Sequence, residues 1–216
     1  MEKKRYLKWY NKVGYGSGDL AGNVVYAFLS SFVMLYLTNT VGLNPGIIGT
    51  LIMVSKLFDG ISDIVMGMIV DRTKSKHGKA RVWILRMCIP FALAGILLFS
   101  VPASLGSTAK LVYVFITYNL VSTVVYTAIN VPYSSLNALM TQNPYERSVL
   151  SIFRNLLATA GTLTINMVTL PLVEFFGDNA AAWTKTFAVL GILAVIAFLL
   201  TFIGTKERVH SVAEIS

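Results

Sequence analysis

Charged residues are scarce in this chain of 216 residues, since only 13% of them are Asp, Glu, Lys or Arg. Soluble domains carry about 25%. The single cysteine, Cys88, cannot close an internal disulfide. The hydrophobic content is 55% and the mean hydropathy is +0.67. This composition excludes a water-soluble globule, a disordered chain and a secreted disulfide scaffold, and it indicates a polytopic membrane protein.

Long apolar runs occupy most of the chain. About 20 apolar residues are needed to cross the ~30 Å hydrocarbon core of a bilayer. Six segments reach that length, at approximately 17–40, 46–70, 82–103, 109–139, 150–176 and 183–204. We therefore predict an all-α membrane protein with a six-helix transmembrane domain over 17–204. Residues 1–16 form a basic and aromatic segment, with Tyr6, Trp9 and Tyr10 as an interfacial anchor, and 205–216 form a frayed polar tail.

The positive charge is concentrated in two places. The formal net charge is +8, and more than half of the Lys and Arg residues lie in the N-terminal segment and in the loop 71–81. Such clusters mark the cytoplasmic side of a membrane protein. With both termini in the cytoplasm, the outer loops retain only Lys110 and Lys185. We therefore predict a multi-pass protein of the cell membrane, embedded in the lipid bilayer, with cytoplasmic termini and no nucleic-acid partner.

Two carboxylates occur in the middle of the second segment, where lipid makes them costly. Asp59 and Asp63 are four residues apart, so a helix presents both on one face, and Ser62 adds a hydroxyl. Two carboxylates this close need a counter-charge. Either a coupling cation, Na⁺ or H⁺, neutralises them, or a structural salt bridge does so with Lys56 or Arg154 as the partner.

Polar side chains recur at helical spacing on three further segments. They are Asp19, Asn23, Tyr26 and Ser30 on the first, Asn119, Thr123, Tyr126, Thr127, Asn130, Ser134 and Asn137 on the fourth, and Arg154, Thr162, Asn166 and Thr169 on the fifth. A helix that faces lipid does not tolerate such stripes. They line either a packed interior, where hydrogen bonds join the helices, or a water-filled cavity. Amides, phenols and a guanidinium also bind sugar hydroxyls, so a sugar path is one interpretation.

The loop after the second segment carries a specific spacing. Gly67, Asp71, Arg72, Gly78 and Arg81 follow the pattern G-x-x-x-D-R-x-x-x-x-x-G-K-x-R, which resembles the signature of the major facilitator superfamily. That resemblance implies a gating loop, in which Gly67 permits close helix approach, Asp71 pairs with arginines across the cytoplasmic mouth and Gly78 permits a tight turn. It also implies half of a major facilitator fold, built from two inverted three-helix repeats.

Three further motifs narrow the resemblance. They are Tyr15-Gly-Ser-Gly-Asp19-Leu-Ala-Gly-Asn23, Asp59-Gly-Ile-Ser-Asp63 and Tyr126-Thr-Ala-Ile-Asn130-Val-Pro132-Tyr133. Together they resemble the glycoside–pentoside–hexuronide:cation symporter family, to which melibiose permease belongs. The similarity runs from about residue 12 to the end of the chain, and it corresponds to the N-terminal half of a twelve-helix transporter.

The resemblance implies a cation site. Asp59 and Asp63 match the two cation-binding aspartates of the family, and they would hold Na⁺ if the coupling is to sodium. Ser62 stands where melibiose permease has an asparagine, and Thr127 matches a threonine beside the same ion.

The resemblance also implies a sugar site, whose positions are Asn23, Tyr126, Asn130, Arg154 and Ser134. Asn23 and Asn130 replace aspartates of the family, and Ser134 replaces a tryptophan over which a galactosyl ring is held. These replacements argue against melibiose as the substrate and leave the sugar open.

These observations predict one half of a cation-coupled sugar or glycoside symporter, with no cofactor other than the coupling ion. We expect no enzymatic activity: Gly16, Gly18 and Asp19 spell the G-x-G-D of intramembrane aspartyl proteases, but their Pro-Ala-Leu motif is absent from the sequence. Because one half presents an open half-site, a second six-helix half is required, as a separate chain, another copy or residues lost by truncation. The alternative is a non-transporting regulatory or assembly subunit, or an inactive fragment.

Overall fold

Helices form all of the regular secondary structure in the computed structural model, which describes residues 7–209. α1 is Trp9–Leu35, and a π-helical turn, Tyr36–Thr40, extends it. The next helices are α2 (Pro45–Arg72), α3 (Arg81–Leu98), α4 (Ser107–Met140), α5 (Pro144–Phe175) and α6 (Ala180–Gly204). α4 contains a π-helical segment, Leu120–Val125, between two α-helical parts. The prediction of an all-α protein is confirmed.

Five of these helices are long and apolar enough to cross a membrane, judged by length and composition within the described residues. α2 is not among them, and it carries Lys56, Asp59 and Asp63 along its middle turns. The charged side chains that single out this helix also lower its hydropathy.

α1 begins well before the predicted boundary near residue 17. Its first turns are held by α6, because Asn11 Nδ2 donates a hydrogen bond of 2.7 Å to the carbonyl of Gly204. A Cβ atom at Gly14 would lie 2.7 Å from the Cα atom of Gly204. Much of the predicted N-terminal segment is therefore helical. Trp9 is exposed at its start, while Tyr6 of the predicted anchor lies outside the described residues.

Two other boundaries differ from the sequence pattern. α5 begins at Pro144 rather than near residue 150, because the Asn143 side chain accepts backbone N–H groups of the first turn. α3 ends at Leu98 rather than near residue 103, since the chain leaves helical geometry ahead of Pro102.

An aromatic cluster joins α1, α3 and α6 at one end of the bundle. The Phe99 ring stacks on Phe187 with 5.3 Å between centroids, and Phe28 meets both rings edge-on. Trp183 and Tyr36 complete the cluster. Aromatic pairs of this geometry contribute about 0.5–1.5 kcal/mol beyond the area that they bury. These three helices therefore form the firmly packed part of the bundle.

α2 is packed more loosely than α1, α3 and α6. Its buried residues are Ile48, Ser55, Met66 and Val70, and its neighbour is mainly α4. α5 lies along α1, which approaches it closely at glycines. The arrangement leaves a space between α1, α2 and α4.

Candidate cation and substrate site

A cavity of about 470 Å³ opens between α1, α2 and α4. The polar and aromatic side chains that line it are Tyr26, Ser30, Lys56, Asp59, Asp63, Tyr118, Ser122, Tyr126, Thr127 and Asn130. Leu29, Val33 and Ile52 add apolar wall. A concave, largely apolar space with a few polar groups is typical of small-molecule sites. The cavity therefore joins the predicted cation residues to part of the predicted sugar site.

Asp59 has both carboxylate oxygens engaged. Lys56 Nζ lies 3.0 Å from Oδ2, and Thr123 Oγ1 donates a hydrogen bond of 2.6 Å to Oδ1. The salt bridge that the sequence left open is thus present for this carboxylate, and its partner is Lys56. The Lys56 side chain is 46% exposed, so the pair remains open to the cavity.

Asp63 has no salt bridge to any residue in the range 7–209. Thr127 Oγ1 donates a hydrogen bond of 3.1 Å to its Oδ1. Within the described part of the chain, no third carboxylate, cysteine or histidine joins the pair. With both carboxyls ionised, Lys56, Asp59 and Asp63 together carry one net negative charge. One monovalent cation would neutralise the cluster, and hard cations prefer such oxygen ligands.

Ser62 makes a different contact from the one expected. Its Oγ donates a hydrogen bond of 2.6 Å to the backbone carbonyl of Thr123, and it is Thr123 that supplies a hydroxyl to Asp59. Thr123 lies in the π-helical segment of α4, and π-helical turns are frequent at functional sites. Sequence reasoning placed Thr123 only in a polar stripe. Its spacing of four residues from Thr127 was the signal that the two hydroxyls share one face of α4.

Tyr126 and Asn130 are the predicted sugar-site residues that line the cavity. The Tyr126 ring stacks on Tyr26 of α1, with 5.4 Å between centroids and 29° between planes. Lys56 Nζ lies 5.9 Å from the centroid of Tyr26. The aromatic pair thus lies beside the charged residues Lys56, Asp59 and Asp63. Ring faces beside an amide suit a ligand that has both C–H and hydroxyl surfaces.

The remaining predicted sugar-site residues, Asn23, Ser134 and Arg154, lie outside this cavity lining. They are linked through hydrogen bonds and an ion pair to Asp19 or to one another. Arg154 Nε lies 3.2 Å from Asp19 Oδ2, and Arg154 Nη1 donates to Ser134 Oγ at 3.5 Å. Asn23 Nδ2 donates to the Asp19 carbonyl at 2.8 Å. Arg154 is therefore not the partner of the carboxylates on α2. The predicted sugar site left out Asp19, although the sequence placed Asp19 in the same polar stripe as Asn23.

The predicted gating loop makes contacts that differ from those implied by its motif. Asp71 is exposed and pairs with Lys79 at 3.5 Å rather than with an arginine, and an exposed pair contributes little stability. Arg72 is exposed as well. Gly78 has a φ of +96°, which favours glycine. Within residues 7–209, no other helix comes within 4 Å of a Cβ atom placed at Gly67, so no close helix approach occurs there.

Residues 14–214 match the protein family described as MFS/sugar transport protein. The chain belongs to this family. Its members are transporters of the major facilitator superfamily, so the predicted fold class, half of a major facilitator fold, is confirmed.

Several curated relatives are similar to this chain along almost its whole length. The inner membrane symporter YicJ of Escherichia coli (strain K12) is 36% identical over 211 residues, which cover 97% of this chain and 45% of the relative. YagG of the same organism, provisionally named a glycoside/cation symporter, is 38% identical over 204 residues, covering 94% of this chain and 44% of the relative. The isoprimeverose transporter of Lactiplantibacillus pentosus is 33% identical over 213 residues, covering 97% of this chain and 44% of the relative.

The chain therefore spans a little under half the length of these curated relatives. The predicted resemblance to glycoside:cation symporters is confirmed, and the chain has the length of one six-helix half. The family match and the five helices that could cross a membrane together confirm the prediction of a membrane protein.

The segment after α6 binds the predicted gating loop. The carboxylate of Glu207 accepts the backbone N–H groups of Lys79 at 3.0 Å and of Ala80 and Arg81 at 2.9 Å, at the start of α3. A Cβ atom at Gly78 would overlap this carboxylate. Negative charge is favourable at a helix N-terminus, so the contact stabilises the loop.

The tail that was predicted to fray is held against the bundle over residues 205–209. The backbone N–H groups of Arg208 and Val209 both donate to the carbonyl of Leu139 at the end of α4. Arg81 of the gating loop donates to the carbonyl of Phe202 and lies over its ring at 4.5 Å. The prediction is therefore wrong for this part of the tail, while residues 210–216 lie outside the described residues.

We expect Glu207→Ala to lower the free energy of unfolding by about 1–3 kcal/mol, because three partly buried N–H groups lose their acceptor. Thermal unfolding in detergent measures the change. Glu174→Ala is the matched control, since Glu174 is an exposed glutamate in the last turn of α5. Equal unfolding temperatures for Glu207→Ala and the wild type would contradict the capping role.

Proposed function

We propose that this chain is one six-helix half of a symporter that couples the uptake of a sugar or glycoside to the entry of Na⁺ or H⁺ across the cell membrane. The observation that carries the proposal is the cavity in which the exposed carboxylate of Asp63 lies among Tyr126 and Asn130. A carboxylate within an apolar bundle is costly unless an ion or a proton neutralises it. The names of two relatives, a glycoside/cation symporter and an isoprimeverose transporter, support the same class of substrate.

The coupling cation binds between Asp59 and Asp63 in this proposal. Thr123 and Thr127 supply hydroxyl oxygens beside the two carboxylates. Lys56 already neutralises one carboxylate, so the site has charge for one monovalent ion. An ion that approaches Asp59 competes with the ammonium group of Lys56, and the two cations cannot occupy the same oxygen.

The sugar binds beside the ion, against Tyr26, Tyr126 and Asn130. The residues around Asp19 extend the same site toward α5. Lys56 contacts both the Tyr26 ring and Asp59, so it belongs to the sugar wall and to the ion cluster at once. Displacement of Lys56 by the ion therefore alters the surface against which the sugar binds. The effect of the ion on sugar affinity then equals the effect of the sugar on ion affinity.

A second six-helix half completes the transporter. The relatives are about twice as long as this chain, which leaves room for another half in each of them. α2 exposes apolar side chains such as Leu57 and Ile64 on either side of the exposed Asp63. Lipid does not tolerate a carboxylate, whereas a second half would cover it. That half is a separate chain, another copy of this chain, or further residues of a longer protein.

We propose that both termini face the cytoplasm. Cysteines introduced at Ser107 or Asn179 should therefore react with impermeant thiol reagents from outside intact cells, because these residues lie at the starts of α4 and α6, on the side poor in Lys and Arg. A cysteine at Ser75, in the basic loop, should react only after the membrane is made permeable. Labelling of the Ser75 position in intact cells would overturn this orientation.

We expect Na⁺, or a fall in pH if the ion is H⁺, to raise the melting temperature of the assembled transporter beyond the effect of choline. A ligand that binds only the folded state, at 100 times its Kd, adds about 2.7 kcal/mol of stability. Asp63→Asn should abolish this response. Asp178→Asn, which changes an exposed carboxylate outside the cavity, is the control and should keep it. A wild type with no cation-specific or pH-specific stabilisation would leave Lys56 as a purely structural partner.

We expect membranes that hold this chain and its second half to take up a sugar in a cation-dependent way. The probes are isoprimeverose, xylose and glucuronate. Asn130→Ala should weaken sugar affinity at least tenfold, because an amide that binds a hydroxyl is lost, and it should leave stabilisation by the cation intact. Asn137→Ala is the control, because Asn137 lies on the same helix as Asn130 and its amide donates to Ser151 of α5. Equal loss of sugar and cation binding in Asn130→Ala would point to packing instead.

A further inference from the structure

A charged pair joins α1 to α5 outside the cation cluster. Arg154 Nε and Asp19 Oδ2 are 3.2 Å apart, and their side chains are 28% and 15% exposed. The pair is therefore largely removed from water within two apolar helices. Removing two charges from water costs several kcal/mol per ion, and their attraction repays it only partly. A pair in this position needs a reason beyond stability.

Helix packing does not supply that reason, because glycines already set the distance between α1 and α5. A Cβ atom at Gly16 would lie 2.9 Å from the carbonyl oxygen of Phe153, the residue next to Arg154. A Cβ atom at Gly161 would lie 3.2 Å from the carbonyl oxygen of Leu20, the residue next to Asp19. Close backbone contact of this kind is how helices associate in membranes. The two helices thus meet at the pair without requiring its charges.

The surroundings of the guanidinium indicate what the pair does. Arg154 lies over the ring of Tyr133, with 5.1 Å from Cζ to the centroid. Asp19 approaches it at Nε, and Nη1 makes one long hydrogen bond of 3.5 Å to Ser134. The backbone carbonyl of Asp19 also accepts a hydrogen bond from Asn23. One acidic residue therefore contacts both of the proposed sugar-site residues that lie on α1 and α5.

We propose that Asp19 is a positioning residue for the sugar: it holds the Arg154 guanidinium by its Nε edge on the Tyr133 ring and leaves the Nη groups to bind substrate hydroxyls. This inference rests on the proposed function. A planar guanidinium held at one edge binds hydroxyl oxygens in a defined direction, whereas a free one loses side-chain entropy on every binding event. Asp19 thus sets the affinity for the sugar and does not contact the ion.

The test measures cation-dependent uptake of isoprimeverose, xylose and glucuronate by the assembled transporter. Asp19→Asn keeps the size of the side chain and removes its charge. We expect its KM for the transported probe to rise at least tenfold, with a smaller change in Vmax and with stabilisation by the cation retained. Ser17→Ala is the matched control, because Ser17 is a buried hydroxyl of the same helix that bonds to Thr201 on α6. It should lower the melting temperature and leave KM unchanged.

A double-mutant comparison separates positioning from a general structural role. If Asp19 acts through Arg154, then Asp19→Asn should raise KM no further in a chain that already carries Arg154→Gln. Asp19→Glu, which retains the charge and moves it by one methylene, should give an intermediate KM. It also replaces Asp19→Asn as the decisive variant if the latter does not fold.

The outcomes are distinct. A wild type that transports none of the three probes overturns the proposed function, and the positioning role falls with it. A wild type that transports a probe, together with an unchanged KM in Asp19→Asn or in Asp19→Glu, overturns the positioning role alone. Additive effects of Asp19→Asn and Arg154→Gln on KM also overturn it.

Discussion

Charge inside an apolar bundle is the constraint on which this structure depends. A charged side chain at the centre of a transmembrane helix costs about 3 kcal/mol on insertion scales. Asp19 and Arg154 neutralise each other, and so do Lys56 and Asp59. Asp63 has no cationic partner within residues 7–209, and it lines the cavity. The cavity therefore lies where the charge balance is incomplete, which is where a mobile ion has the most effect.

The helices divide into a firm frame and a loosely packed wall. Stacked aromatic rings and close glycine contacts hold α1 to α3, α5 and α6. α2 buries only a few side chains, yet it carries the charged residues of the cation cluster. Elements that move in function come from the parts of a protein with few buried contacts. A movement of α2 therefore meets less resistance than a movement of the frame. At one end of the bundle, the Glu207 carboxylate ties the chain after α6 to the start of α3, so that end is held by hydrogen bonds rather than by apolar packing.

Much of the site was predictable, because local spacing and family motifs place residues on helices. Asp59 and Asp63 are four residues apart, and a helix necessarily presents them on one face. Tyr126 and Asn130 have the same spacing, and both line the cavity with the two carboxylates. The partners that these residues contact could not be predicted from the sequence. The sequence placed Thr123 in a polar stripe and Asp19 in a polar stripe and a family motif, but no local rule says which stripe meets which.

The sequence by itself determined that the chain is a helical membrane protein, because backbone groups in lipid must be satisfied within each helix and long apolar runs leave no other solution. It also determined which helices carry charge. The tertiary structure alone decided which charges pair. Arg154 reaches Asp19 rather than the carboxylates of α2, because Gly16 brings α1 against α5 and so sets the distance between their side chains. Pairing depends on how helices approach and rotate about one another, and that information is not local in the chain.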